Sequence, residues 1–156
     1  MPKRVILIED DPVTVKVTGD ALARVAPDAR LEVMRDGLGA LERLIRHSDH
    51  ARDQVAVVIL DLHIPRLHGM ELLRELKSRA DTRFLPVVII SGTATPDQTR
   101  ELYSLGANSY ILKLADPAAD RRNVERALEY WLLVNVLPVQ TKMSSQSLAE
   151  SQSGSE

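Results

Sequence analysis

No cysteine occurs anywhere in the chain. Thiol nucleophiles, disulfides and cysteine-ligated zinc are therefore excluded, and the lack fits a reducing cytoplasm, the compartment expected here. No apolar run approaches the roughly 18 residues that a bilayer span needs. The opening Met1-Pro2-Lys3-Arg4-Val5 carries too short an apolar stretch for a signal peptide. Neither sign of charge dominates, since the formal net charge is −2 with 27% charged residues. A global attraction to nucleic acid or to an anionic membrane is thus not expected. The four His residues lack zinc-ligand spacing, and no internal repeat is present. A chain of 156 residues fits a single soluble domain and buries roughly 70% of its unfolded surface without a staple.

What is present is an alternation of short apolar runs and longer amphipathic segments. Val5-Ile6-Leu7-Ile8 reads as a buried strand that ends in Glu9-Asp10-Asp11. Pro12 suits the first turn of a helix capped by Asp11, with Val15, Leu22 and Val25 behind it. Leu31 to Met34 is a weaker strand, and Leu38, Leu41, Leu44 and Ile45 mark a second helix. Val55 to Leu60 is apolar on every side, as a central parallel strand covered on both faces should be. A third helix carries Met70, Leu72, Leu73 and Leu76. Val87 to Ile90 and Ser109 to Leu112 supply two more strands, each followed by a helix, the last running from about Pro117 to Asn135. Ser48 to Gln54 reads as a polar loop. The Ser/Gln-rich stretch 138–156 reads as a disordered tail, leaving residues 1–137 as the folded unit. Five strands alternating with five helices predict a doubly wound α/β fold around a five-stranded parallel sheet.

In such a sheet, chemistry gathers outside the carboxyl ends of the strands. There stand Glu9 and Asp10 after the first strand, Asp61 and His63 after the third, Ser91 and Gly92 after the fourth, and Lys113 after the fifth. Adjacent strands lie about 4.8 Å apart, so these side chains can share one pocket. Clustered carboxylates repel one another and resist desolvation, and a hard divalent cation with oxygen ligands relieves both. Each piece also has a plainer reading. The acidic triplet suits a helix N-terminus, Ser91 a cap and Lys113 a solvated charge. Asp61 resists one, because an acid closing an all-apolar strand is costly to bury without a purpose.

Taken in order, Ile6-Leu7-Ile8-Glu9-Asp10-Asp11-Pro12, Ile59-Leu60-Asp61-Leu62-His63-Ile64-Pro65 with Gly69, Leu85-Pro86-Val87 through Ser91, and Leu105-Gly106-Ala107-Asn108 through Lys113 resemble the response-regulator receiver family. The resemblance spans Arg4 to about Leu137 and implies a flavodoxin-like strand order of 2-1-3-4-5. It implies Asp61 as phosphoacceptor in two-component signalling, with self-catalysed phosphorylation and dephosphorylation instead of conventional enzyme turnover. It also implies Mg2+ held by Asp10 and Asp61, by Glu9 largely through water, and by the His63 carbonyl. Ser91, Gly92 and Lys113 would surround the phosphoryl group, and Tyr110 would be the aromatic switch partner of Ser91. The His63 side chain is then a rim group that affects phosphate lifetime.

The chain departs from the family pattern in three places. Leu114 replaces a proline that usually follows the lysine in a cis bond. Leu67-His68-Gly69 replaces Met-Asp-Gly, and Gly92 stands where Ala is common. A cis bond before a non-proline residue costs about 2.5–4 kcal/mol, so the Lys113-Leu114 bond is expected to be trans. A dinucleotide-binding fold would need a Gly-rich loop after the first strand, where acids stand instead. A phosphatase with an aspartyl nucleophile on its first strand does not fit either. A degenerate receiver that binds partners without phosphate stays open as the alternative.

Ala127 to Pro138 and Tyr103…Leu105-Gly106-Ala107-Asn108 resemble small single-domain regulators paired with cyanobacterial and bacterial phytochromes. The expected partner is therefore a sensor histidine kinase, of phytochrome type in that reading. No DNA-binding unit is expected after residue 137. Tyr130, Trp131, Leu133, Val134, Val136 and Leu137 make the end of the last helix apolar nearly all round, which predicts a homodimer through this segment.

Overall fold

The computed structural model describes residues 2–46, 54–93 and 95–137. Most of the expected loop 48–54 and all of the expected tail 138–156 lie outside the described residues. Five parallel strands, β1 (Arg4–Ile8), β2 (Arg30–Met34), β3 (Val55–Asp61), β4 (Val87–Ser91) and β5 (Ser109–Leu112), form one sheet in the order β2-β1-β3-β4-β5. Between and after them run α1 (Pro12–Val25), α2 (Gly37–Arg46), α3 (Gly69–Ser78), α4 (Pro96–Ser104) and α5 (Pro117–Glu129). This is the flavodoxin-like strand order that the family resemblance implies.

Successive strand residues point to opposite faces, and the core divides accordingly. Val5, Leu7, Val57, Ile59, Val88 and Ile90 pack with Ala21 and Leu22 of α1 and with Val124 and Leu128 of α5. Ile6, Ile8, Val58, Leu60 and Ile89 pack on the other side with Leu44 of α2, Leu72, Leu73 and Leu76 of α3, and Leu102 of α4. Covered from both sides, β3 is buried along its whole length. Each such aliphatic side chain contributes about 1.5–3 kcal/mol when fully buried.

Local chemistry fixes where the helices start. Asp11 caps α1 by accepting the Val13 N–H at 3.1 Å and the Thr14 hydroxyl at 3.1 Å. Thr95 and Gln98 form a reciprocal capping box at α4, and Asp116 caps α5 through the Ala119 N–H. His68, at a departure from the family pattern, caps α3, with Nδ1 accepting the Met70 N–H at 3.2 Å.

The last helix differs from expectation. It is α-helical only to Glu129, and Tyr130–Val134 form a single π-helical turn closed by the Asn135 N–H donating to the Tyr130 carbonyl at 2.7 Å. Only part of this apolar run can face the sheet. The turn keeps Leu132 in the core with Trp131 packed against it, and leaves Leu133 and Val134 outside. The Lys3 ammonium donates to the Leu132 carbonyl and secures the turn from the opposite chain end. Among the described residues, no helix is long and apolar enough to cross a membrane.

Candidate functional site

The chain leaves β1 towards β2 and β3 towards β4, so the crossovers diverge between β1 and β3 and open a crevice at their carboxyl ends. Ile8 pairs with Leu60, which sets the next residues, Glu9 and Asp61, side by side. Ser91 ends β4 in register with Leu112, and the Lys113 N–H donates to the Ser91 carbonyl at 2.9 Å. The ladder thus carries Lys113 to the same rim. Gly69 makes room for this corner, because a Cβ there would stand 2.4 Å from the Asp61 carbonyl oxygen.

Glu9 is 0% exposed and Asp61 5%, while Asp10 is open to solvent. The Lys113 ammonium bridges the two buried acids, donating to Glu9 Oε2 at 2.8 Å and to Asp61 Oδ2 at 3.3 Å. The remaining oxygens accept backbone donors: Glu9 Oε1 takes the Asp11 N–H at 3.0 Å, and Asp61 Oδ1 takes the His63 N–H at 3.3 Å. Burial is the main reason that the Glu9 carboxyl is raised to about 7, and the charge of Asp61 adds to it; the bonds from Lys113 and the Asp11 N–H oppose the rise. Burial alone would lower Lys113, but its bond to Glu9 and the charges of Glu9 and Asp61 outweigh that and raise it.

Carboxylate oxygens of Glu9, Asp10 and Asp61 lie within 4.8 Å of one another. Three clustered carboxylates with one ammonium leave a negative cleft whose chemistry suits a divalent cation of the magnesium or manganese kind. The donor set therefore fits the metal expected from the sequence.

Ser91 is buried, and its hydroxyl donates to the Thr93 carbonyl at 3.1 Å. Tyr110 is half-buried against the α2–α3–α4 core and donates its hydroxyl to the Ser91 carbonyl at 3.3 Å. Gly92 is exposed, and a Cβ added to it would meet nothing within 4 Å. The His63 side chain is exposed at the rim, with its ring 5.6 Å from that of His68 in an edge-on arrangement. The described backbone holds no cis peptide bond, so Lys113-Leu114 is trans as expected. Sequence reasoning missed Asp120, which accepts the Leu114 N–H at 2.9 Å. The sequence carried half of the signal, because a residue replacing proline brings an N–H that needs an acceptor, but it does not say which acceptor.

A doubly wound sheet with an acidic cleft and a lysine at its carboxyl rim defines a receiver-type signalling domain. The family model for the response regulator receiver domain matches residues 5–125, and the chain belongs to that family. Its members serve two-component signalling with sensor histidine kinases, as phosphoacceptors and not as conventional enzymes. The chain is similar to the probable methanogenesis regulatory protein FilR2 of Methanothrix harundinacea, at 34% identity over 88% of each chain. It is also similar to response regulator Rcp1 of Synechocystis, at 28% identity over 88% of this chain and 94% of that one. The Mn2+-bound crystal structure of Rcp1 superposes with a TM-score of 0.80 at 27% identity, covering 88% of this chain and 100% of that one. The phosphorylated cyanobacterial phytochrome response regulator RcpA gives a TM-score of 0.81 at 29% identity, covering 88% and 99%.

Proposed function

We propose that this receiver takes a phosphoryl group from a phosphohistidine of a sensor histidine kinase onto the Asp61 carboxylate. A carboxylate oxygen attacks phosphorus, the P–N bond breaks as the O–P bond forms, and the imidazole leaves with the electron pair. The observation that carries this reading is the Lys113 ammonium set between buried Glu9 and Asp61 at the strand ends. Glu9, Asp10, Asp61 and the His63 carbonyl are the proposed ligands of Mg2+, which when bound supplies positive charge to the phosphoryl oxygens. Lys113, freed from part of its bond to Asp61, pairs with the same oxygens, and the exposed backbone at Gly92 leaves them room. The Ser91 hydroxyl exchanges the Thr93 carbonyl for a phosphoryl oxygen. Tyr110, bonded to the Ser91 carbonyl, is then the side chain placed to register that change.

The folded unit is taken as residues 1–137, acting in the cytoplasm. Similarity to RcpA, a phytochrome response regulator, supports a phytochrome-type kinase as partner. A homodimer through the π-helical turn and the residues after it is part of this reading. Tyr130, Leu133, Val134 and Val136 are exposed there, whereas Trp131 and Leu137 already pack partly on their own core and contribute only their outer edges. Labelling by a phosphorylated histidine kinase, with and without Mg2+, tests the proposal. Wild type should take up label only with Mg2+, and Asp61→Asn should take up none; equal labelling of both proteins overturns the site.

A further inference from the structure

The peptide that follows Lys113 has a partner on α5. The Leu114 N–H donates at 2.9 Å to Oδ1 of Asp120, a carboxylate only 8% exposed in the first turn of the helix. No cation stands within ion-pair distance of Asp120 among the described residues. A buried acid with no cationic partner is unfavourable unless its donors are fixed, and here they are the Leu114 N–H and the positive end of α5. A proline at 114 would have no N–H, so the donor and the acceptor answer each other.

We infer that Asp120 is a positioning residue that, by holding the Leu114 N–H, fixes where the Lys113 ammonium stands between Glu9 and Asp61. Lys113 is then anchored on both sides. Its own N–H is tied to the Ser91 carbonyl at 2.9 Å, and the next N–H is tied to α5 at 2.9 Å. A long, freely rotating side chain reaches a fixed target reproducibly only from a fixed base, and positioning is most of what phosphoryl transfer requires. The same tie links α5 to the rim, so displacement of the first turn of α5 would move the ammonium. The kinetic part of this inference rests on Asp61 as phosphoacceptor.

The test uses the full chain, with folding of each variant checked by circular dichroism. Asp120→Ala should slow labelling of Asp61 by acetyl phosphate about ten-fold, with the Mg2+ dependence of labelling unchanged. Asp120→Asn, which keeps an oxygen acceptor, should label at close to the wild-type rate. In a Leu114→Pro background, which has no N–H to hold, Asp120→Ala should add no further loss. Reductive methylation of the metal-free proteins, scored by peptide mass, should modify Lys113 faster in Asp120→Ala than in wild type. Unchanged labelling by Asp120→Ala, or an equal loss in both backgrounds, overturns the inference. If wild-type Asp61 takes no label, the phosphoacceptor reading fails, and the methylation result alone decides whether Asp120 positions Lys113.

Discussion

The Lys77 ammonium and the Asn108 carboxamide oxygen meet at 3.2 Å across 31 positions of chain, joining the end of α3 to the residue before β5. The same ammonium donates to the Leu85 carbonyl at 2.7 Å and to the Arg83 carbonyl at 3.1 Å, while Asn108 Oδ1 also accepts the Val87 N–H at 2.8 Å. One cation thus ties together the loops that lead into β4 and β5. Lys77→Met leaves these acceptors without their shared donor and should destabilise the fold by about 1–3 kcal/mol, read by urea denaturation.

Lys77 also predicts a pH effect. Burial lowers its pKa from 10.5 in the folded protein. Between the lowered value and 10.5 the unfolded chain binds more protons than the folded one, so this group's contribution to stability rises with pH across that window. Below the window the full penalty of burying the charge is present. The stability difference between wild type and Lys77→Met should therefore shift in favour of wild type as pH approaches 10.5. A difference that is flat or falls over that range contradicts the burial account.

Two glycines near the site should respond oppositely to alanine. At Gly69 a Cβ would lie 2.4 Å from the Asp61 carbonyl oxygen and 2.7 Å from Leu62 Cα, both backbone atoms. Gly69→Ala should destabilise by about 1–3 kcal/mol or more. At Gly92 a Cβ meets nothing within 4 Å, and Gly92→Ala should change stability by no more than about 0.5 kcal/mol. Thermal or urea unfolding of the pair checks both.

The proposed dimer gives a second contrast. Leu133 is 63% and Val136 87% exposed, whereas Leu128 on the same helical segment is fully buried. Leu133→Glu with Val136→Glu should convert a dimer to a monomer by light scattering, with little effect on monomer stability. Leu128→Ala should cost about 2–5 kcal/mol of stability. A monomeric wild type at tens of micromolar would remove the dimer from the account.

The strands were legible because their chemistry is redundant. Val55 to Leu60 is apolar at every position, and burial on both faces leaves no other reading. Glu9, Asp61 and Lys113 could be read as neighbours because a parallel sheet aligns its strand ends, a rule that needs no side-chain geometry. The π-helical turn at Tyr130–Val134 was not legible, since a run apolar all round does not say which residues win the limited core space. His68 and Asp120 escaped for another reason. Each satisfies a single backbone N–H, and such pairings depend on where loops pass, which periodicity does not encode.

The central claim is that Asp61 carries the phosphoryl group, and the most direct measurement is chemical mapping of that group. Protein treated with acetyl phosphate and Mg2+ is reduced with borohydride, which converts an acyl phosphate to an alcohol, and is then digested for peptide mass analysis. The account predicts homoserine in place of Asp61, dependent on Mg2+ and absent when acetyl phosphate is omitted. Homoserine at Asp10, or at no acidic residue while the protein still takes up phosphate, contradicts it.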